Sequence, residues 1–177
     1  GDLAPEIVVL DGSSNIVDGS GSVNFGTTTA TSPLQRTFTV QNQGGANLTL
    51  QPVSVPAGFS VVTNIAANTV VAPGGQVTFV VRLDAAANGS FSGQLSFVND
   101  DADENPFNFT ISGTVAAAPV IAIMDNGDAG FTSSGMDYYV GAGYFQNDVH
   151  YQAGGSGSAV ATWTFTGLTP GMYRVSS

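Results

Sequence analysis

The sequence has no cysteine, no lysine and a single histidine, His150. Without cysteine the chain has no disulfide bond, no thiolate nucleophile and no Cys-ligated zinc. One histidine cannot build a multi-histidine zinc site, and we expect it to be a surface side chain or one satisfied by a hydrogen bond. These absences exclude several common routes to catalysis and to metal binding.

Basic residues are scarce as well. Thirteen Asp and Glu residues stand against three arginines, which gives a formal net charge of −10. Nucleic acids and anionic membrane surfaces are bound through basic faces, so both are disfavoured as partners. The sequence has no long apolar run, and we expect no membrane insertion. It also lacks a G-x-S-x-G motif and any sign of paired catalytic carboxylates, so we expect no enzymatic activity.

What the sequence does contain is a period of two. Three runs between Gly74 and Val115 alternate apolar with polar residues, which is typical of strands with one face in a core and the other in water. The breaks at Asp84–Ser90 and Asn99–Pro106 are rich in turn-forming residues and predict antiparallel hairpins.

The residues before Gly74 repeat this pattern in shorter runs. Arg36 falls on the apolar face of the run Leu34–Gln41, so we place it at the mouth of a strand with its charged head in water. The Thr- and Ser-rich segment after Gly26 is predicted to be a loop that extends to Pro33. About seven or eight short strands and no helical period predict an all-β chain that begins with a β-sandwich.

The first domain resembles a known family. The pieces that carry the resemblance include Pro5-Glu6-Ile7, Phe38-Thr39-Val40-Gln41-Asn42-Gln43-Gly44, Ala72-Pro73-Gly74-Gly75 and Asn99 to Phe107. Over residues 5–115 they resemble the choice-of-anchor D repeat, which is related to the Hydin-type immunoglobulin-like modules. The resemblance implies an Ig-like β-sandwich over residues 1–115, used as a spacer or interaction module, and it brings no catalytic residues.

A linker and a second β module are expected next. Ala116-Ala117-Ala118-Pro119 is the predicted linker. From residue 120 to 177, the pieces DNGDAGF and WTFTGLTPGMYRV resemble the golvesin or xanthan-lyase C-terminal type of β module. That resemblance implies a second β-sandwich, of which we expect only the first part to be present, with the rest either truncated or supplied by a partner. Both ends of the chain look cut from a longer protein.

Aromatic residues crowd into the second module. The tyrosines that could form a carbohydrate-binding platform are Tyr138, Tyr139, Tyr144 and Tyr151. Exposed rings stack on sugar faces, whereas the alternative for these tyrosines is core packing. Trp163 alternates with Ala161 and Phe165 on one face, and we expect it to be buried.

Two acidic loops are candidates for binding structural calcium, which is the one cofactor that the sequence suggests. Their possible ligands are Asp100, Asp101, Asp103, Asp125 and Asp128. Pro106 replaces the glycine that an EF-hand turn needs, so that motif is excluded. The alternative in both loops is a solvated turn whose side chains cap their own backbone.

These observations lead to a non-catalytic expectation. We expect a structural, assembly or adhesion module of a large secreted or cell-surface bacterial protein, which associates with itself or with neighbouring domains through exposed strand edges. The alternative is a carbohydrate-binding accessory module of an extracellular polysaccharide-active enzyme.

Overall fold

The computed structural model describes residues 4–118, 124–125, 128–142, 148–151 and 158–168. The chain divides into two compact units, Gly1–Ala118 and Pro119–Ser177, called here the first and second units. Every regular element among the described residues is a β-strand, so the all-β prediction is confirmed. Within these residues, no helix has the length and apolarity needed to cross a bilayer.

Ten strands make up the described part of the first unit. Their bounds are Ile7–Asp11 (β1), Ser14–Ile16 (β2), Ser22–Thr29 (β3), Leu34–Asn42 (β4), Leu48–Leu50 (β5), Phe59–Thr63 (β6), Thr69–Val71 (β7), Gln76–Leu83 (β8), Gly89–Phe97 (β9) and Phe107–Ala116 (β10).

These strands form two sheets and a ribbon. One sheet has the order β2-β1-β4-β8-β6, the other has the order β3-β10-β9, and β5 pairs with β7. The pairs are antiparallel except for β3 and β10, which run parallel. Rings from the two sheets meet between them: Phe38 of β4 lies 5.4 Å from Phe109 of β10, centroid to centroid. The predicted β-sandwich is therefore confirmed.

The core is built by the alternation read from the sequence. On β8, Phe79, Val81 and Leu83 are buried, while Gln76 and Thr78 are exposed. Burying one such apolar side chain contributes about 1.5–3 kcal/mol, and the core repeats this in both sheets. The period of two therefore becomes a continuous apolar layer between the sheets.

Asn42, at the end of β4, is a fully buried polar residue. Its Nδ2 donates to the carbonyl oxygens of Ala46 and Val71, at 2.7 and 2.9 Å. Its Oδ1 accepts from the backbone N–H of Gly44 at 3.0 Å and from that of Glu6 at 3.4 Å. One side chain thus joins the end of β4 to β7, to the following turn and to the residue before β1.

The predicted hairpin at Asp84–Ser90 is wrong. β8 already pairs with β4 on one side and with β6 on the other, so it has no free edge for β9. The segment instead carries the chain from one sheet to the other. The second predicted hairpin, at Asn99–Pro106, is confirmed by the antiparallel pairing of β9 with β10.

The loop predicted after Gly26 is also partly wrong. β3 continues to Thr29, because its pairing with β10 resumes beyond an irregularity in register. At that irregularity Gly26 has φ of +93°, a conformation that glycine adopts without steric cost. The short strand β7 was not predicted from the sequence.

The second unit contains smaller pieces of sheet. Its described strands are Phe131–Ser134 (β11), Asp137–Val140 (β12), Asp148–Tyr151 (β13) and Val160–Trp163 (β14). β11 pairs with β14, and β12 pairs with β13, both antiparallel. A smaller β region thus follows the sandwich, as the sequence predicts.

Candidate functional site

The two ribbons of the second unit are joined through aromatic rings. Strand pairing sets Phe131 opposite Trp163 on one ribbon and Tyr138 opposite His150 on the other. The ring centroids are 5.0 Å apart for Tyr138 and His150, 4.9 Å for His150 and Phe131, and 5.2 Å for Phe131 and Trp163. These four side chains form a continuous series of ring contacts, which we call the aromatic row.

Both ends of the aromatic row are exposed. Tyr138 is 57% exposed and Trp163 is 50% exposed. The prediction that Trp163 is buried is therefore wrong: its alternation with Ala161 defines a shared face, but that face is only partly covered. Exposed rings of this kind stack on apolar ligand faces, including those of sugars.

The four rings of the aromatic row do not include Tyr139 or Tyr151, and carbohydrate binding by these two tyrosines stays a prediction. Tyr139 and Tyr151 are 52% and 49% exposed, so core packing does not describe them or Tyr138. Tyr144 lies outside the described residues. Sequence reasoning missed Phe131 and His150 as members of the row, because their proximity depends on how the two ribbons meet.

His150 also bonds to a serine. Its Nδ1 lies 2.7 Å from Oγ of Ser133, and both side chains are partly buried. Phe131 and Ser133 are two residues apart on β11 and therefore share a face, which His150 contacts at both positions. The histidine is satisfied by a hydrogen bond, as the sequence predicts.

The first acidic loop is tied to the sandwich through backbone N–H groups. Oδ2 of Asp101 accepts from Ile7 at 2.8 Å, and Oδ1 of Asp100 accepts from Thr49 at 2.7 Å. Asp101 is buried, with 2% of its surface exposed. These bonds hold the loop between β9 and β10 against the starts of β1 and β5.

The carboxylates of this loop repel one another. Burial raises the pKa of Glu104 to about 7, and repulsion from Asp101, Glu6, Asp18 and Asp103 adds to the rise. Burial also raises the pKa of Asp101, while the bond from Ile7 opposes that change. Oε2 of Glu104 is buried and has no hydrogen-bond partner among the described residues. The loop therefore holds its negative charge at an energetic cost.

The second acidic loop folds back on itself. Oδ2 of Asp128 accepts from the backbone N–H of Asp125 at 2.8 Å, and the N–H of Asp128 donates to the carbonyl oxygen of Asp125 at 3.1 Å. Across the described part of the chain, no group of three or more His, Asp or Glu side chains is arranged to hold a metal ion. Calcium at Asp100, Asp101, Asp103, Asp125 and Asp128 stays a prediction.

Arg36 bridges the two sheets of the sandwich. Its Nη1 forms an ion pair with Asp11 at 2.7 Å, and its Nη2 donates to the carbonyl oxygen of Asn24 at 2.9 Å. The guanidinium lies 5.7 Å from the ring centroid of Phe25. Arg36 thereby links β4 and β1 of one sheet to β3 of the other. It lies near the start of β4, as predicted, but its charged head is bonded to protein groups and is only partly in water.

The sandwich matches a known family model. The model describes a HYDIN/CFA65/VesB-like, Ig-like domain, and it matches residues 16–114, more than half of the 177 residues. The chain belongs to the HYDIN/CFA65/VesB-like Ig-like family.

Solved structures with similar folds are distant. A protein of unknown function from Porphyromonas gingivalis W83 is 14% identical, with a TM-score of 0.49 over 63% of this chain and 47% of that one. The ASH/PapD-like domain 7 of human CEP192 is 11% identical, with a TM-score of 0.48 over 67% and 91%. The secreted serine protease VesC from Vibrio cholerae is 15% identical, with a TM-score of 0.42 over 54% and 22%. This chain thus spans about half the length of the Porphyromonas protein. No curated protein matches the chain.

The family match bears on the two predicted modules differently. The predicted Hydin-type Ig-like domain is confirmed over residues 16–114, within the first unit. The aromatic row lies beyond the HYDIN/CFA65/VesB-like domain, in the second unit. The resemblance of residues 120–177 to a golvesin or xanthan-lyase module stays a prediction.

Proposed function

We propose that the chain is a non-catalytic structural module of a larger secreted or cell-surface bacterial protein, and that it works through protein contacts. The observation that carries this proposal is the use made of polar side chains in the Ig-like domain. The side chains of Asn42, Asp100 and Asp101 form hydrogen bonds with backbone groups of other elements. Such side chains hold loops in place, which is the use expected of them in a structural module.

Self-association in solution tests the proposal. The full chain is expected to form larger species as its concentration rises, measured by sedimentation velocity or light scattering. Immunodetection on intact host cells and in the culture medium tests the location. A monomer at every concentration would contradict assembly through copies of the chain, and detection confined to the cytosol would contradict the location.

A carbohydrate-binding function is the second candidate. The exposure of the aromatic row favours it, since Tyr138 and Trp163 offer ring faces at both ends of the row. A polysaccharide chain would lie along the row, with its sugar faces against the rings and its hydroxyl groups near Ser133 and His150. Its partner would be a polysaccharide rather than a protein.

Affinity electrophoresis in gels that contain a polysaccharide separates the two candidates. Under the second candidate, the wild-type chain is retarded, Tyr138→Ala and Trp163→Ala are retarded less, and Tyr139→Ala behaves as the wild type. Tyr139→Ala separates binding by the row from binding by the wider set of predicted tyrosines, because the Tyr139 ring is similarly exposed but lies on the other face of β12. If the wild-type chain is not retarded in any gel, the carbohydrate-binding function is contradicted and the structural function remains.

A further inference from the structure

The outer edge of β9 is an open part of the sandwich. β9 is the last strand of its sheet, with β10 on its inner side. Ser96 exchanges hydrogen bonds with Ser54, at 2.9 and 3.1 Å, so Ser96 directs its backbone groups away from β10. By the period of two, Gln94, Ser92 and Ser90 direct theirs the same way. The bridge to Ser54 covers the end of the strand, and Pro56 lies close to Gly93. Among the described residues, no hydrogen bond is made to the outward backbone groups of Ser90, Ser92 and Gln94.

The other edges of the two sheets are protected. On β3, the carbonyl oxygen of Asn24 accepts from Nη2 of Arg36. Oδ1 of Asn24 accepts from the N–H of Gly26 at 2.8 Å, next to a break in register. On β6 the register shifts between Val61 and Thr63, which bulges the edge. β2 has three residues. Bulges and short edges discourage pairing with another chain, and the Ser90–Gln94 edge has neither device.

The sequence of β9 also lacks the charges that protect edges. Its nine residues, GSFSGQLSF, include no charged residue and no proline. In a chain of net charge −10, a second copy is repelled overall, and it approaches most easily where charge is absent. An antiparallel pairing centred on Ser92 sets Ser92 opposite Ser92 and Ser90 opposite Gln94. The open edge is complementary to itself.

We propose that the outer edge of β9, from Ser90 to Gln94, pairs with the same edge of a second copy of this chain. The inference rests on the proposed function, since it names the contact through which the module assembles. The pairing joins two three-stranded sheets into one, and each opposed pair exchanges two backbone hydrogen bonds. Salt strengthens the association, because it screens the repulsion between two acidic chains.

Charge substitutions at Ser92 test this pairing in the full chain. Ser92 is exposed, so a lysine there points into solvent and leaves the core intact. In the dimer two lysines would stand directly opposite each other, and we expect the dissociation constant to rise by about 10-fold or more. Ser92→Glu should weaken the dimer in the same way, and an equimolar mixture of the two variants should form a mixed dimer. Thr110→Lys is the matched control, because it adds the same charge to an exposed position of the inner strand β10.

Sedimentation velocity gives the outcome, and far-UV circular dichroism shows that each variant is folded. The inference is supported if the wild type forms a dimer, both Ser92 variants weaken it and their mixture restores it. Thr110→Lys should leave the dimer unchanged. A wild-type dimer that neither Ser92 variant weakens overturns the β9 contact and leaves the assembly function standing. If the wild type stays monomeric up to about 1 mM, any dimer is weaker than roughly 4 kcal/mol. That result overturns both the β9 contact and the assembly function.

Discussion

Replacing Asn42 with alanine should destabilise the first unit more than a polar-to-alanine change at its surface. The substitution removes the donor that serves Ala46 and Val71 and the acceptor that serves Gly44 and Glu6. Because the site is fully buried, water cannot replace all of these partners. The loss of stability then comes from the buried backbone groups that no longer have a hydrogen-bond partner.

The magnitude follows from counting those groups. A buried backbone group left without a partner costs about 1–3 kcal/mol, and the longest of the four bonds contributes least. Some groups will regain water after relaxation, so we expect a loss of about 3–5 kcal/mol. Typical domains are stable by about 5–15 kcal/mol, so this loss is a large fraction of the total.

The assay uses an uneven distribution of chromophores. Trp163 and all five tyrosines lie in the second unit, and the first has none. In urea, the unfolding transition seen by far-UV circular dichroism should move down by roughly 2 M in Asn42→Ala, while the transition seen by Trp163 fluorescence stays in place. Gln43→Ala is the control, because Gln43 is exposed and its backbone bond to Glu6 survives. Equal transitions for the two variants would refute the role given to Asn42.

Three further predictions concern the sandwich. The folded first unit binds a proton at Glu104 more tightly than the unfolded chain does, since the pKa rises from 4.5 to about 7. Protonation of Glu104 therefore contributes its full stabilisation below about pH 4.5, and this contribution is lost as the pH rises to about 7. The free energy of unfolding, measured across that range, should decline in the wild type but not in Glu104→Gln. Arg36→Met loses the ion pair with Asp11 and should lower the unfolding free energy by about 1–2 kcal/mol; a melting temperature equal to that of the wild type would contradict the bracing role. Gly113→Ala places a Cβ 2.7 Å from Cδ2 of Leu83 and should cost about 1–3 kcal/mol in denaturant titrations, whereas Ser112→Ala, its neighbour, should cost less than half as much.

The sequence predicts which face of a strand is buried better than it predicts which strands pair. Alternation identified the buried side of β8, and the position of Arg36 on an apolar face correctly placed it at the strand mouth. The same alternation could not reveal that both edges of β8 are occupied, so the Asp84–Ser90 hairpin was wrong. Pairing depends on residues far away in the chain, and a local pattern does not report them.

The candidate sites show the same limit. The crowding of tyrosines points to the second unit, yet among the described tyrosines the aromatic row includes Tyr138 and neither Tyr139 nor Tyr151. Phe131 and His150 join it because two ribbons meet, which the spacing of residues does not encode. Asn42 reads as a turn residue beside Gln43 and Gly44, and its burial follows from the elements that close over it.

The parallel pairing of β3 with β10 has a mechanical consequence. In a hairpin such as β9–β10, a force that separates adjoining ends breaks hydrogen bonds one after another. In a parallel pair, a pull on the start of β3 and on the end of β10 slides the strands along each other and loads all of the bonds between them together. A stretching force applied to these two strands must therefore break their hydrogen bonds together. We expect the domain to unfold at a higher force than one in which the bonds of a hairpin break one after another.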